Sequence, residues 1–136
     1  MPGSAGFRER AHTADWELEV WAPDLLSLLE QAARGMYTLM GTSLRPAERF
    51  VRDLELPAND QESLLVDFLT ELLYLVEAEN LGVVNYHLRM EGDKFLAHLE
   101  GAPVANLTKE IKAVTYHNLA IRQTERGLRA NVVFDV

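Results

Sequence analysis

Several groups of side chains in this 136-residue chain are spaced for chemistry. His12-Thr13-Ala14-Asp15 packs an imidazole, a hydroxyl and a carboxylate just ahead of an alternating segment, and loop ends at strand edges are where functional side chains concentrate. Read alone, Asp15 or Thr13 closes a local turn and His12 is a surface residue. At the other end the chain stops at Phe134-Asp135-Val136, where Asp135 brings one carboxylate and Val136 the α-carboxylate. Two carboxylates a few ångströms apart repel and take up a proton unless a cation joins them. Hard cations such as Ca²⁺ and Mg²⁺ favour oxygen ligands of this kind. By itself such an end reads as a solvated, frayed terminus. A third acid brought in from Asp15 reverses that reading, and it comes within reach if the last strand lies beside the first.

Three further groups invite both a chemical and a structural reading. Asp67 and Glu71 stand four residues apart on an expected helix, as a solvated face or as a seat for a cation or a partner's arginine. Glu110-Ile111-Lys112-Ala113-Val114-Thr115-Tyr116-His117 gathers acid, base, hydroxyl and imidazole at the entry to a strand. Lys112 there either pairs with Glu110 or faces a cleft, and His117 alone reads as structural. His87 and His98 sit on opposite arms of an expected hairpin and, without a third ligand, are cross-strand neighbours rather than a zinc site.

The elements that must position these groups follow from periodicity. Trp16 to Trp21 alternates as a half-buried strand, with Trp16, Leu18 and Val20 on one side and Glu17, Glu19 and Trp21 on the other. Pro23 and Asp24 suit a helix start, and Leu25, Leu29, Ala32 and Met36 carry a helix over about 24–40 that Gly41 stops. A strand is expected over Phe50 to Leu56. A second helix over about 61–79 follows, capped by Asn59 or Asp60 with Glu62 closing a capping box, and Asn80 and Gly82 end it. Val83 to Glu91 and Phe95 to Gly101 flank the Gly92-Asp93 turn; Ala113 to Gln123 and Leu128 to Val136 flank Glu125-Arg126-Gly127. The segment 102–112 has no clear assignment. The expected order is β-α-β-α-β-β-β-β, an α+β domain with a largely antiparallel sheet packed with two amphipathic helices. Residues 1–6 read as a flexible arm and 7–136 as one domain.

Composition narrows the function. The chain has 13 basic and 21 acidic residues, net −8, a poor balance for an autonomous nucleic-acid binder. It contains no cysteine, which removes disulfides, thiolate metal sites and a cysteine nucleophile. No segment approaches the ~18 apolar residues of a membrane span and the N-terminus lacks the apolar core of a secretory signal, so a cytoplasmic protein is expected. The common phosphate-loop, dinucleotide, nucleophile-elbow and zinc-protease signatures are missing.

His12-Thr13-Ala14-Asp15, the run Leu64-Leu65-Val66-Asp67-Phe68-Leu69-Thr70-Glu71-Leu72-Leu73-Tyr74, the segment Glu110 to His117 and the terminal Phe134-Asp135-Val136 occur in an order that resembles the archease family over about residues 7 to 136. The chain departs from that family's pattern at Trp16-Glu17 and in lacking a tryptophan near Leu128 or Arg129. The resemblance implies a protein cofactor, not itself an enzyme, of the RtcB-type RNA ligase. That GTP- and metal-dependent ligase joins phosphate-ended to hydroxyl-ended RNA in tRNA splicing and RNA repair. The cofactor is expected to promote guanylylation of the ligase and its multiple turnover. The resemblance also implies a divalent metal ion (Ca, or Mn/Mg) at Asp15, Asp135 and Val136, with Lys112 and His12 assisting the ligase and RNA reached only through it. Two rivals differ in kind. A stand-alone metal-dependent hydrolase would use His12, Asp15 and Asp135 and would need an open coordination position and a base; a protein-binding module would show no metal dependence.

Overall fold

The computed structural model describes residues 4–10, 16–45 and 48–136. Chain order runs β1 (Gly6–Arg10), β2 (Trp16–Ala22), α1 (Leu25–Met40), β3 (Ser43–Leu44), β4 (Phe50–Pro57), α2 (Gln61–Glu79), β5 (Leu81–Glu91), β6 (Lys94–Asn106), β7 (Ala113–Val114), β8 (Arg122–Thr124) and β9 (Gly127–Asp135). The expected α+β class and both long helices are present. The helix ends match local chemistry: Asp24 and Asp60 accept from the N–H groups of Ser27 and Ser63, and Gly41 and Asn80 close the helices in the left-handed region. The capping box does not form, because Asp60 rather than Asn59 is the cap and puts Ser63, not Glu62, three residues on; the Glu62 carboxylate accepts from the Ile121 N–H at 2.8 Å.

Three expectations are corrected. The strands form two antiparallel sheets rather than one. In the first, β1, β2, β9 and β7 lie in that order and β8 also pairs with β9; in the second, β6 is the hub that pairs with β3, β4 and β5. Gly6, placed by its sequence in the arm, already pairs with Trp21. The expected strand over 113–123 is two short strands, because Ala113 and Val114 pair with β9 and the chain then turns through Tyr116–Leu119, with Asn118 left-handed. The unassigned segment 102–112 is split. β6 continues through Pro103 to Asn106, and Ile111 is fully buried.

One core joins all the layers. Leu18, Val20, Val132 and Phe134 from the first sheet and Phe95, Ala97 and Leu99 from the second meet both helix stripes. α1 packs chiefly on β2, and α2 on β5 with β7 and β4. Phe68 of α2 meets Phe95 edge-on at 5.3 Å. The Val83 N–H donates to the Tyr37 hydroxyl at 3.2 Å, tying α1 to β5, and burial pushes that phenol up to about 12.

α1 comes close to β2 and β1 at Gly35. A Cβ there would stand 2.5 Å from Leu18 Cδ2 and 3.0 Å from Phe7 Cδ1, and Leu18 is 1% exposed with no space to retreat. Alanine gains about 1 kcal/mol of helix propensity, but overpacking costs about 1–3 kcal/mol. Gly35→Ala should therefore lower the unfolding free energy in a urea melt by up to about 2 kcal/mol net. A raised midpoint would mean that α1 shifts off β2 without penalty.

Candidate metal centre

The pairing of β2 with β9 builds this end of the molecule. Trp16 faces Phe134 in register. Phe134 is fully buried, so strand alternation turns its neighbour Asp135 to the outer face, where it is exposed. On the other side the Lys112 N–H donates to the Asp135 carbonyl at 2.8 Å, and Ala113 stands opposite Asp135. Val136 packs its half-buried side chain against the core, which holds the terminal carboxylate beside Asp135. His12 and Asp15 lie outside the described residues; Asp15 is the residue bonded to Trp16. Among the described residues no three His, Asp or Glu side chains are grouped to hold a metal ion. The donors that are placed, one aspartate and the terminal carboxylate, offer only oxygen, which suits Ca²⁺, Mg²⁺ or Mn²⁺.

Lys112 is exposed, and its main chain rather than its side chain ties it to β9. The described residues hold no ion pair between it and Glu110. Buried Ile111 anchors the segment, and the Thr115 N–H and hydroxyl both donate to the Val133 carbonyl, at 3.0 and 2.9 Å. Thr115 is thus a structural member of its motif. His117 is exposed, with Asn118 Nδ2 3.3 Å from its Nε2. A neighbour the sequence reading missed is Lys109, whose Nζ lies 3.8 Å from the Trp16 ring centroid. Two of the three lysines of the chain therefore border this end. His87 and His98 belong to the other sheet. They are register partners with ring centroids 5.9 Å apart, and His98 Nδ1 lies 2.7 Å from Asp53 Oδ1. Asp67 and Glu71 are half-buried on α2.

Further along the same outer face the charge reverses. Arg8 and Arg10 on β1, Glu19 on β2 and Arg129 on β9 project outward, as does Arg122 on β8, which pairs with Arg129 in register. The Glu19 carboxylate is 8% exposed because guanidinium arms lie over it. It accepts from Arg8 Nε at 3.2 Å and from Arg8 Nη2, pairs with Arg129 Nη2 at 3.0 Å, and has Arg10 Nη1 at 3.7 Å. The hydrogen bond from Arg8, with help from Arg129, holds the Glu19 carboxyl below its ordinary value against the desolvation that raises it. Beside it, Asn131 Nδ2 donates to Glu17 Oε2 at 2.7 Å.

Two antiparallel sheets and two helices around one core, with Asp135 exposed at the margin of the first sheet, define a small α+β domain. The archease protein family model matches residues 7–136, and the chain belongs to that family. It is 32% identical over 139 residues to the protein archease of Methanosarcina barkeri, covering 92% of each chain. It is 35% identical over 131 residues to that of Archaeoglobus fulgidus, covering 92% of this chain and 95% of the relative. The fold is similar to the crystal structure of an archease from Thermotoga maritima, described there as a possible chaperone, with TM-score 0.73, 22% identity and 95% and 96% of the two chains covered. It is equally similar to the solution structure of Methanobacterium thermoautotrophicum protein 1598, with TM-score 0.73, 24% identity and 96% and 99% covered.

The Glu19 cluster carries a pH signature. Its carboxyl is lowered in the folded state, so its contribution to stability is full above the unfolded value near 4.5 and is lost as pH falls through the folded value. Glu19→Gln keeps the shape and removes the charge. The gap in unfolding free energy between wild type and variant should be widest at neutral pH and close progressively below about pH 4.5. A gap that stays constant into acid would assign the effect to packing alone.

Proposed function

We propose that this archease-family chain is a metal-binding accessory protein of an RtcB-type RNA ligase, with no turnover of its own. In this reading it promotes guanylylation and multiple turnover of the ligase in tRNA splicing and RNA repair, and it meets RNA through that ligase. Family membership supports the reading. The observation that supports it most directly is the β2–β9 pairing, which brings the strand that Asp15 precedes beside the end of β9, where Asp135 is exposed and Val136 packs on the core. Oxygen donors gathered at one strand end are the ligand type that hard divalent cations take.

Asp15, Asp135 and the terminal carboxylate would hold the ion, Ca²⁺ or Mn²⁺/Mg²⁺, whose bound charge supplies electrostatic attraction for a phosphate or carboxylate of the partner. The residues of the chain do the rest. The β2–β9 ladder and the Lys112-to-Asp135 hydrogen bond orient the carboxylates. The exposed ammonium of Lys112 is presented as a compact point charge toward the ligase, and His12 assists from the segment before β2. No helix among the described residues is long and apolar enough to cross a membrane.

Two measurements test this. In calorimetry with Ca²⁺ or Mn²⁺, Asp135→Asn should weaken binding by about tenfold or more, as should one residue added after Val136, which moves the terminal charge and keeps every side chain. Unchanged affinity in both would remove this chain end from the site. In a mixing assay with the cognate ligase, wild type should raise guanylylated ligase and product over many turnovers. Lys112→Ala should lose that stimulation while melting within about 2 °C of wild type, as an exposed substitution does. Full stimulation by Lys112→Ala would leave it an ordinary surface cation, and RNA hydrolysis by the purified chain with metal alone would favour the hydrolase reading instead.

A further inference from the structure

The arginine-rich end of the outer sheet face has no part in the reading above. It opens a cleft of about 510 Å³, bordered by Arg8, Trp21, Thr124, Glu125, Arg126 and Arg129, between β1, β2 and the β8–β9 turn. That volume falls within the range of small-ligand sites, about 300–1,000 Å³. We infer that this cleft binds a phosphorylated nucleotide, with the base stacked on Trp21 and the phosphate held by Arg126 and Arg129.

Charge is the first argument. Arg8, Arg10, Arg122, Arg126 and Arg129 gather five of the 13 basic residues of the chain around three carboxylates, Glu17, Glu19 and Glu125, on a protein whose total is −8. Glu19 is shared among Arg8, Arg10 and Arg129. One negative charge cannot neutralise three guanidinium groups, but it does hold them together on this face. Arg122 and Arg129 stand directly opposite each other across β8 and β9, a like-charge pair that destabilises a ladder and that only Glu19, through Arg129, offsets among the ion pairs of the described residues. No ion pair among the described residues engages Arg126, which sits at the turn on the rim. Guanidinium groups in a fork match phosphate oxygens bidentately.

The aromatic wall is the second argument and selects a nucleotide over a bare anion. A Cβ at Gly6 would stand 2.7 Å from Trp21 Cζ2, so the indole lies against the β1 backbone and only glycine fits beneath it. Trp21 is half-buried and borders the cleft. The Arg8 guanidinium lies over the ring, 5.9 Å from its centroid, at the outer limit of a cation–π contact of about 6 Å, so a stacking base would share that face with it. Stacking on such a ring tolerates any base, because every base has a π-face. Glu125 on the rim disfavours a long polyanion, and the charge balance elsewhere on the chain does the same. The ligand is therefore a single nucleotide, either free or the phosphate-bearing end of a strand.

Tryptophan emission and calorimetry on the full chain test this, with AMP, GMP, adenosine and inorganic phosphate as probes, alongside a short oligoribonucleotide with and without a terminal phosphate. Nucleoside monophosphates should bind saturably and quench emission; adenosine and phosphate alone should bind more weakly. Arg126→Glu should weaken the monophosphates by about tenfold or more, the effect of losing one charge-assisted contact, without moving the melting temperature. Trp21→Phe, which keeps a flat ring over Gly6, should retain binding with reduced affinity. Preference for the phosphate-ended oligonucleotide over AMP assigns the strand end; equal affinity assigns the free nucleotide. The proposal fails if no nucleotide saturates, if Arg126→Glu leaves affinity unchanged, or if an acidic peptide binds where nucleotides do not. None of these readouts uses the ligase or the metal site, so the outcome is independent of the reading above.

Discussion

The β2–β9 ladder is the constraint on which the rest of the molecule depends. Seven register pairs join a strand near the start of the chain to the strand that ends it, so its loop-closure cost falls almost at the maximum for this chain length. What offsets that cost is burial. The inward positions of the two strands, Leu18 and Val20 against Ala130 and Val132, are nearly inaccessible to solvent and face the α1 stripe. Without this ladder the first sheet has no centre, since β1, β7 and β8 each pair only with one of these two strands.

Register then converts a packing solution into a placed site. A strand that buries Phe134 must expose Asp135, because side chains alternate; a one-residue slip would invert every position on both faces. The terminal carboxylate inherits the same precision from Val136, whose side chain rests on the core. A chain end is ordinarily a frayed, solvated feature. Here it is anchored by hydrophobic contact and by the hydrogen bond from Lys112 to the Asp135 carbonyl.

Along that outer face charge is unevenly distributed. Asp135 stands at one end with Lys109 and Lys112 on its border, and Arg8, Arg126 and Arg129 stand around Trp21 and Glu125 at the other, about 20 Å away at the usual rise per strand residue. Between them Glu19 satisfies Arg8 and Arg129 together. An arginine-rich patch on a chain of net charge −8 makes the local field differ from the global one, and local fields rather than net charge govern what approaches a surface.

Much of this was legible in the residues alone. The stripes of α1 and α2, their aspartate caps and the left-handed stops at Gly41 and Asn80 are local, and local propensity and periodicity specify them directly. The Gly92-Asp93 turn and the alternation of Trp16 to Trp21 are local as well. The potential of Asp135 and Val136 followed from having two carboxylates at one chain end. What remained hidden was decided by contacts between distant segments. Two-residue β7 has no periodicity to read and exists only because β9 is already there to pair with it. The split into two sheets depends on β6 serving as the hub for three partners, and β6 runs on to Asn106 because β3 pairs with it past Pro103, at Val104 and Asn106. Glu62 looked like a helix cap, but a loop nearly sixty positions later supplies the N–H that it binds. The gathering of Arg8, Arg10 and Arg129 on Glu19 joins the first and last strands. A sequence states that three arginines and a glutamate exist; only the antiparallel register of β1, β2 and β9 brings their charges within reach of one another.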